Sequence, residues 1–382
     1  MPISQTPFQG EPPALVLLDT FLTPKHIFFK CNHGPVLTHS CRYELKIFGL
    51  LPKPTTLTIW GGVRLADVLK MQGIPYRTLE TGEGGRYVEF ISVDYMKETP
   101  DEPFKSSIPL IHATTPRADV LLAYEMNYED IPREHGYPLR VIIPGCIGAR
   151  SVKWLKEIKI SKDECQGYYM QKHFKHYPPH LELDPPWVTT VDWSSRRPLM
   201  EFPVQSAICV PQDGIFLPKG ATVNIRGYAI AGGGRAIDRV DVSVNSGHSW
   251  KSAERRQVSF SVPRIPCPCC GAVPHKVEIF DVFEADGDTA QLFDPQLLKW
   301  AWVLWKCVAQ VYPRTEIIVK AIDSAGNVQP HEIDQIWNFR GVNNSCWNRV
   351  KVELSKAGEE KGNVCHCQCH KTFSGAAGVP QF

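Results

Sequence analysis

Residues 237–250 read IDRVDVSVNSGHSW. Val240, Val242 and Val244 alternate with polar residues, so a strand built from them turns one face to a core and the other to water. Asn245, Ser246 and Gly247 then supply a turn signal. Outward from this stretch, ATVNIRGYAIAG (221–232) alternates Val223 with Ile225, and WAWVLW (300–305) and TEIIVKAID (315–323) add further short apolar runs. Several short strands within 195–355, almost free of a helical period, predict an antiparallel β-sandwich of the immunoglobulin kind.

Upstream, the composition changes character near residue 195, in DWSSRRPLMEFPVQSAI (192–208), and the domain boundary is placed there. Before it, WGGVRLADVLKMQGIP (60–75) carries Val63, Leu65, Val68 and Leu69, then Gly73 and Pro75, and predicts one amphipathic helix. YVEFISVDY (87–95), ADVLLAYEM (118–126) and PLRVIIPG (138–145) read as strands, although LLAYEM is equally compatible with a helix. Residues 1–194 therefore predict an α+β domain. A Cys- and Pro-rich insert at 254–297 interrupts the second domain, and residues 356–382 lack an apolar period. Both are expected to be poorly ordered.

The 382 residues hold 42 Lys plus Arg against 40 Asp plus Glu, a net charge of +2, so no polycationic surface for nucleic acid or acidic lipid is implied. No apolar run is long enough to span a membrane, and MPISQTPFQGEPP at the N-terminus lacks the basic and apolar regions of a secretory leader. The 13 cysteines are unevenly spread, and the scattered ones read as reduced thiols in a reducing or organellar compartment. PCPCC (Cys267, Cys269, Cys270) and CHCQCH (Cys365, Cys367, Cys369) fit the paired spacing of zinc ligands poorly.

Four clusters place polar residues where a core would not favour them: FFKCNHGPV (28–36), YVEFISVDY (87–95), EHGYPLRVIIPG (134–145) and GARSVKWL (148–155). As chemistry they describe an anion cradle. A loop of Gly145, Gly148 and Ala149 brings backbone N–H groups near a phosphate, while His33, His135, Arg140 and Lys153 supply further donors. By spacing alone, the same residues read as ordinary loop histidines and turn glycines, since none of these patterns is a recognised phosphate loop.

The order and wording of the clusters carry more. NHGP, VDY, LLAYEMN, HGYPLRVIIPG, GARSVKWL, FPVQSAI, GYAIAGGGR, VDVSV, WAWVLW, KAIDSAGNVQP and IWNFRGV, in that order, resemble the sulfite oxidase family of molybdenum enzymes, closest to the plant type. The resemblance covers nearly all of 14–355 apart from the insert. It implies a first domain, 1–194, that buries a Mo-molybdopterin cofactor, and a second, 195–355, that is immunoglobulin-like and makes a homodimer. It implies further that Asn32, His33, Asp94, His135, Arg140, Ser151, Val152 and Lys153 hold the pterin and its phosphate, and that Arg340 closes a sulfite pocket. A buried phosphate needs such donors, or its desolvation is not offset. Sulfite oxidation to sulfate by oxo transfer is the implied activity. No His-Pro-Gly-Gly haem motif occurs, so an internal haem is not the implied acceptor; resemblance to the plant-type members implies oxygen.

Departures from the family pattern are equally specific. Its Cys-Ala-Gly-Asn-Arg-Arg motif, which supplies the thiolate ligand of molybdenum, is absent, as if the chain were internally truncated between 59 and 60; no metal ligand is assigned. Cys31 stands where the family has arginine and Phe174 where it has tyrosine, with Tyr177 nearby. A missing thiolate changes the donor field of the metal, and outer-shell groups cannot replace the bond. The alternative is a catalytically inactive homologue that binds cofactor or only dimerises. SKA at 355–357 resembles a peroxisomal terminal tripeptide but lies inside the chain; a peroxisomal or other intracellular location is expected.

Overall fold

A computed structural model of the chain describes residues 60–96, 99–127, 129–178, 192–218, 220–256, 300, 302–311, 316–338 and 341–354, with the backbone of short strands at 2–5, 8–10, 30–32, 259–261 and 278–280. Strands β1 (Pro2–Gln5), β2 (Phe8–Gly10) and β3 (Lys30–Asn32) pair antiparallel in that order. The first domain continues with β4 (Trp60–Arg64), β5 (Tyr87–Met96), β6 (Thr99–Pro109), β7 (Leu121–Met126), β8 (Glu129–Asp130), β9 (Arg140–Ile142) and β10 (Leu155–Ser161). One of its sheets runs β10-β5-β6. The other runs β4-β7-β8, with β9 also paired to β7.

The long apolar run of β5 places Val88 and Phe90 wholly inside, against Ile108 of β6, Val141 of β9 and Leu65 of the helix Leu65–Met71. Full burial of each such side chain contributes roughly 1.5–3 kcal/mol. That helix starts five residues later than the sequence predicts. Gly61 and Gly62 are poor helix formers, and Trp60–Arg64 instead spends its backbone donors on β7, in the register Gly62↔Ala123 and Val63↔Leu122. LLAYEM is a strand, because β7 lies between β4 and β9 and both partners demand extended backbone.

The second domain contains β11 (Gln205–Val210), β12 (Ile215–Leu217), β13 (Thr222–Ile230), β14 (Ile237–Ser243), β15 (Lys251–Ser252), β16 (Glu254–Arg256), β17 (Ser259–Ser261), β18 (Glu278–Phe280), β19 (Val303–Gln310), β20 (Glu316–Asp323) and β21 (Asn348–Leu354). A four-stranded sheet runs β11-β13-β19-β16 and a five-stranded sheet β12-β21-β20-β14-β15, with β12 parallel to β21. Val223, Ile225 and Ala229 alternate inward along β13 and meet Val240 and Val242 of β14, Trp305 of β19 and Ile317 and Val319 of β20 in one core. The period-2 pattern thus becomes a two-sheet packing with its apolar faces inward.

Residues 254–297 do not behave uniformly as the poorly ordered insert expected. Glu254–Arg256 completes the edge of the four-stranded sheet as β16, where Glu254 pairs with Lys306 at 2.9 Å. β17 and β18 pair with each other. That edge pairs the outer ladder groups of β19 at Leu304–Lys306, which draws the first residues of the insert into the sheet. The rest of the insert and the tail 356–382 lie outside the described residues.

Candidate anion-binding site

Two strand pairings assemble the site. β10 lies against β5, so the chain entering β10 at Lys153 and Trp154 runs beside Ser92 and Asp94. Ser92 Oγ donates to the Lys153 carbonyl at 2.8 Å, and the Trp154 carbonyl accepts from Val93 N at 2.9 Å. β9 lies against β7, and Arg140 at its start is buried.

Between Asp130 and Arg140 the chain makes a one-turn helix at Arg133–His135 and then bends through Gly136, whose φ is +112°. A side chain at Gly136 would place its Cβ 3.1 Å from Lys153 Cβ and 3.2 Å from Arg140 Cβ. The absence of a side chain there lets the Lys153 and Arg140 stems converge beside His135. Arg140 donates from one terminal nitrogen to the His135 carbonyl at 2.8 Å and from the other to the Ser151 carbonyl at 2.9 Å. Its guanidinium carbon lies 4.8 Å from the centre of the Trp60 ring. Lys153 Nζ donates to the Glu134 carbonyl at 3.0 Å. Ser151 Oγ accepts from Ile143 N at 3.0 Å, which ties the loop to the end of β9.

Burial governs the electrostatics. Desolvation pushes the Arg140 guanidinium down to about 9, so it stays charged at neutral pH. Burial also pushes the Asp94 carboxyl up, opposed by the nearby Lys153 ammonium. Behind the site Arg150 is 0% exposed and donates to the Leu199 carbonyl at 2.9 and 2.7 Å and to Ser106 Oγ at 3.2 Å. Among the described residues, neither Arg140 nor Arg150 has a carboxylate hydrogen-bond partner. A buried cation held only by neutral acceptors is costly unless an anion completes it.

The structure therefore gathers Asp94, His135, Arg140, Ser151 and Lys153 in one region. Val152 differs: its side chain is 1% exposed and belongs to the first-domain core, while its carbonyl accepts from Val141 N at 2.8 Å. The backbone of β3, which includes Cys31 and Asn32, lies beside Arg133–His135. His33 and Arg340 lie outside the described residues. Phe174 follows the turn Tyr169–His173, with its ring 4.6 Å from His173 and 5.8 Å from Tyr169. Tyr177 is 1% exposed, with its ring edge-on to Trp193 at 5.7 Å. Trp60, Gly136 and Arg150 escaped the sequence reading. Gly136 had a local signal in HGYP, whereas a stacking partner and a buried arginine have none.

These donors fit a phosphorylated ligand: a charged fork, an ammonium and a histidine meet at a site where the hydrogen-bond partners of Arg140 among the described residues are all carbonyls. They do not supply a thiolate for a metal. The chain has no cysteine between Cys41 and Cys146. Burial, together with Glu201, pushes the Cys146 thiol up to about 11, and burial pushes Cys165 up to about 12. Among the described residues no group of three His, Cys, Asp or Glu side chains is arranged to hold a metal ion.

Residues 55–169 match the oxidoreductase molybdopterin binding domain, and residues 196–355 match the Mo-co oxidoreductase dimerisation domain. The chain is 40% identical to sulfite oxidase of Arabidopsis thaliana, over 92% of this chain and 93% of that protein. It is 34% identical to sulfite oxidase of Gallus gallus, over 91% of this chain and 76% of that protein. Its fold is similar to the crystal structure of the sulfane dehydrogenase SoxCD from Paracoccus pantotrophus, with a TM-score of 0.51 and 22% identity over 78% of this chain and 63% of that chain. At that identity the likeness bears on the fold alone. A molybdopterin-binding domain followed by a β-rich dimerisation domain, with this identity across most of both sulfite oxidases, means that the chain belongs to the sulfite oxidase family of molybdopterin oxidoreductases.

Proposed function

We propose that the chain is a Mo-molybdopterin oxidoreductase that oxidises sulfite to sulfate with oxygen as electron acceptor, working as a homodimer through an immunoglobulin-like second domain. The observation that supports this reading is the buried Arg140 guanidinium, whose hydrogen-bond partners among the described residues are all carbonyls, converging with Lys153 and His135. In this reading Arg140, Lys153 and the Ser151 region bind the terminal phosphate of the pterin, while Asp94, His135 and Asn32 orient its body. Carbonyl acceptors hold the Arg140 fork before the ligand arrives, so little reorganisation accompanies binding. Low exposure of Arg140, His135 and Asp94 excludes water from the same region and strengthens each charge-assisted bond. Arg140, Lys153 and the Ser151 region would hold such a cofactor by its phosphate, and the chemistry it would supply is oxo transfer. Arg340 is assigned to the sulfite anion, because a guanidinium fork matches an oxyanion. Among the described residues no helix is long and apolar enough to cross a membrane; a peroxisomal or other intracellular location is proposed, with the internal SKA at 355–357 as its peroxisomal motif.

A second reading is favoured by a specific observation: the Cys-Ala-Gly-Asn-Arg-Arg motif is missing, with Cys31 and Phe174 in place of arginine and tyrosine. The chain then binds the phosphorylated pterin, or only dimerises, without turnover. Purified full-length chain should be analysed for molybdenum and pterin per subunit and for sulfite-dependent oxygen uptake. Stoichiometric metal with turnover above a cofactor-free control supports the enzyme. Pterin without metal or turnover supports the inactive binder, and the absence of both removes the cofactor assignment.

A further inference from the structure

The loop that delivers Ser151 and Lys153 to the cradle is held at its other end by the second domain. It leaves β9 at Ile143 and turns at Gly145, where φ is +74°. A Cβ at Gly145 would lie 2.7 Å from Trp300 Cζ3 and 2.8 Å from Gly233 N, so the two domains meet here at backbone distance. The Gly145 carbonyl accepts from Gly233 N at 3.0 Å, and Trp300 Nε1 donates to Asp119 at 2.6 Å.

The strap Pro198–Glu201, which leads into the second domain, lies along the same loop. Ile147 N donates to the Met200 carbonyl at 2.7 Å, Cys146 bridges to Glu201 through the backbone, and the buried Arg150 grips the Leu199 carbonyl. One terminal nitrogen of Arg235 donates to Glu201 Oε2 at 2.8 Å, while its Nε donates to Asp323 Oδ2 at 2.9 Å. Asp323 has a fully buried carboxylate and is fixed in turn by Asn327 and Ala325. An unbroken set of hydrogen bonds therefore runs from Asp323 at the end of β20, through Arg235, Glu201 and the strap, to the loop that ends in Ser151 and Lys153.

We propose that Arg235 and Glu201 are positioning residues for the anion cradle: the Arg235–Glu201 bond clamps the strap onto the Gly145–Arg150 loop and so sets where Ser151 and Lys153 stand relative to Arg140. The inference rests on the reading of that site as a phosphate cradle. Coupling through such a network is a modest energetic effect, and it acts on the ligand without either residue touching it. Glu201 suits the test because its side chain is half-exposed and its truncation leaves both cores intact.

The experiment is titration of the full chain with inorganic phosphate by calorimetry, with far-UV circular dichroism to check folding. Glu201→Ala is expected to weaken phosphate binding about fivefold. Glu201→Gln keeps an oxygen acceptor for Arg235 and is expected to stay within about twofold of the parent. A purely structural role would not be rescued in this way. Lys153→Ala separates this inference from its foundation. If Lys153→Ala leaves phosphate affinity unchanged, the cradle reading itself fails. If Lys153→Ala weakens binding but Glu201→Ala does not, or if Glu201→Gln loses as much as Glu201→Ala, the positioning role alone is overturned.

Discussion

The guanidinium of Arg140 is stacked 4.8 Å from the centre of the Trp60 ring while its two terminal nitrogens hold the carbonyls of His135 and Ser151. One planar group thus links β4, β9 and the loop after residue 148. A lysine has neither the plane to stack nor the fork to reach both carbonyls. Arg140→Lys should weaken phosphate binding about tenfold or more. Trp60→Leu, which removes the stack and keeps an apolar side chain against Ala123, Met126 and Ile131, should cost about threefold. Calorimetric titration checks both, and equal affinity of Arg140→Lys and the parent would sink the assignment of Arg140.

Gly136→Ala should be destabilising, because φ is +112° there and the new Cβ would press on Lys153 and Arg140 at 3.1 and 3.2 Å. The expected loss is roughly 1–3 kcal/mol, read as a lower thermal midpoint with a two-state transition. A midpoint equal to the parent would show that the turn relaxes freely.

Asp94 carries a pH signature. Its carboxyl is pushed up by burial from its ordinary value of 3.8, so the folded state holds the proton more tightly than the unfolded chain does. Below 3.8 both states are protonated and the group costs nothing. As pH rises from there through the raised folded value, stability falls, and the cost stays at neutral pH. Asp94→Asn should therefore be more stable than the parent at pH 7, with the difference vanishing in strong acid. Denaturant unfolding at several pH values reads this directly; a parent that gains stability over the same interval relative to Asp94→Asn contradicts it.

In the second domain, Trp305 is 2% exposed and its indole nitrogen is buried without a hydrogen-bond partner among the described residues. Trp305→Phe removes that unsatisfied donor along with some volume, so its cost should stay under about 2 kcal/mol. Trp305→Ala leaves a full cavity and should cost about 3–5 kcal/mol. Similar losses in chemical denaturation for the two variants would mean that the donor is satisfied.

The alternation along 222–230 and 237–243 was legible because strand burial has a period of two residues and is written locally. Val223, Ile225, Val240 and Val242 all face the core for that reason. The start of the helix at Leu65 was not legible. Its boundary depends on β7, which lies some sixty residues away and competes for the same backbone donors. At the candidate site, the residue types of Asp94, His135, Arg140, Ser151 and Lys153 suggested anion chemistry, and the resemblance named the ligand. Val152 shows the limit: it sits between two polar positions yet turns inward.

By itself the sequence determined the two-part organisation, the family and the absence of a Cys-Ala-Gly-Asn-Arg-Arg run, since these are properties of order and composition along the chain. Only the tertiary structure decided that Trp60 lies under Arg140, that Gly136 clears the space between Arg140 and Lys153, and that Arg150 and the strap tie the cradle to the second domain. Each of those relations depends on which strands pair across long separations and on which carbonyls receive a buried donor. No local spacing encodes such choices, because they minimise the desolvation cost of the whole fold rather than of any one segment.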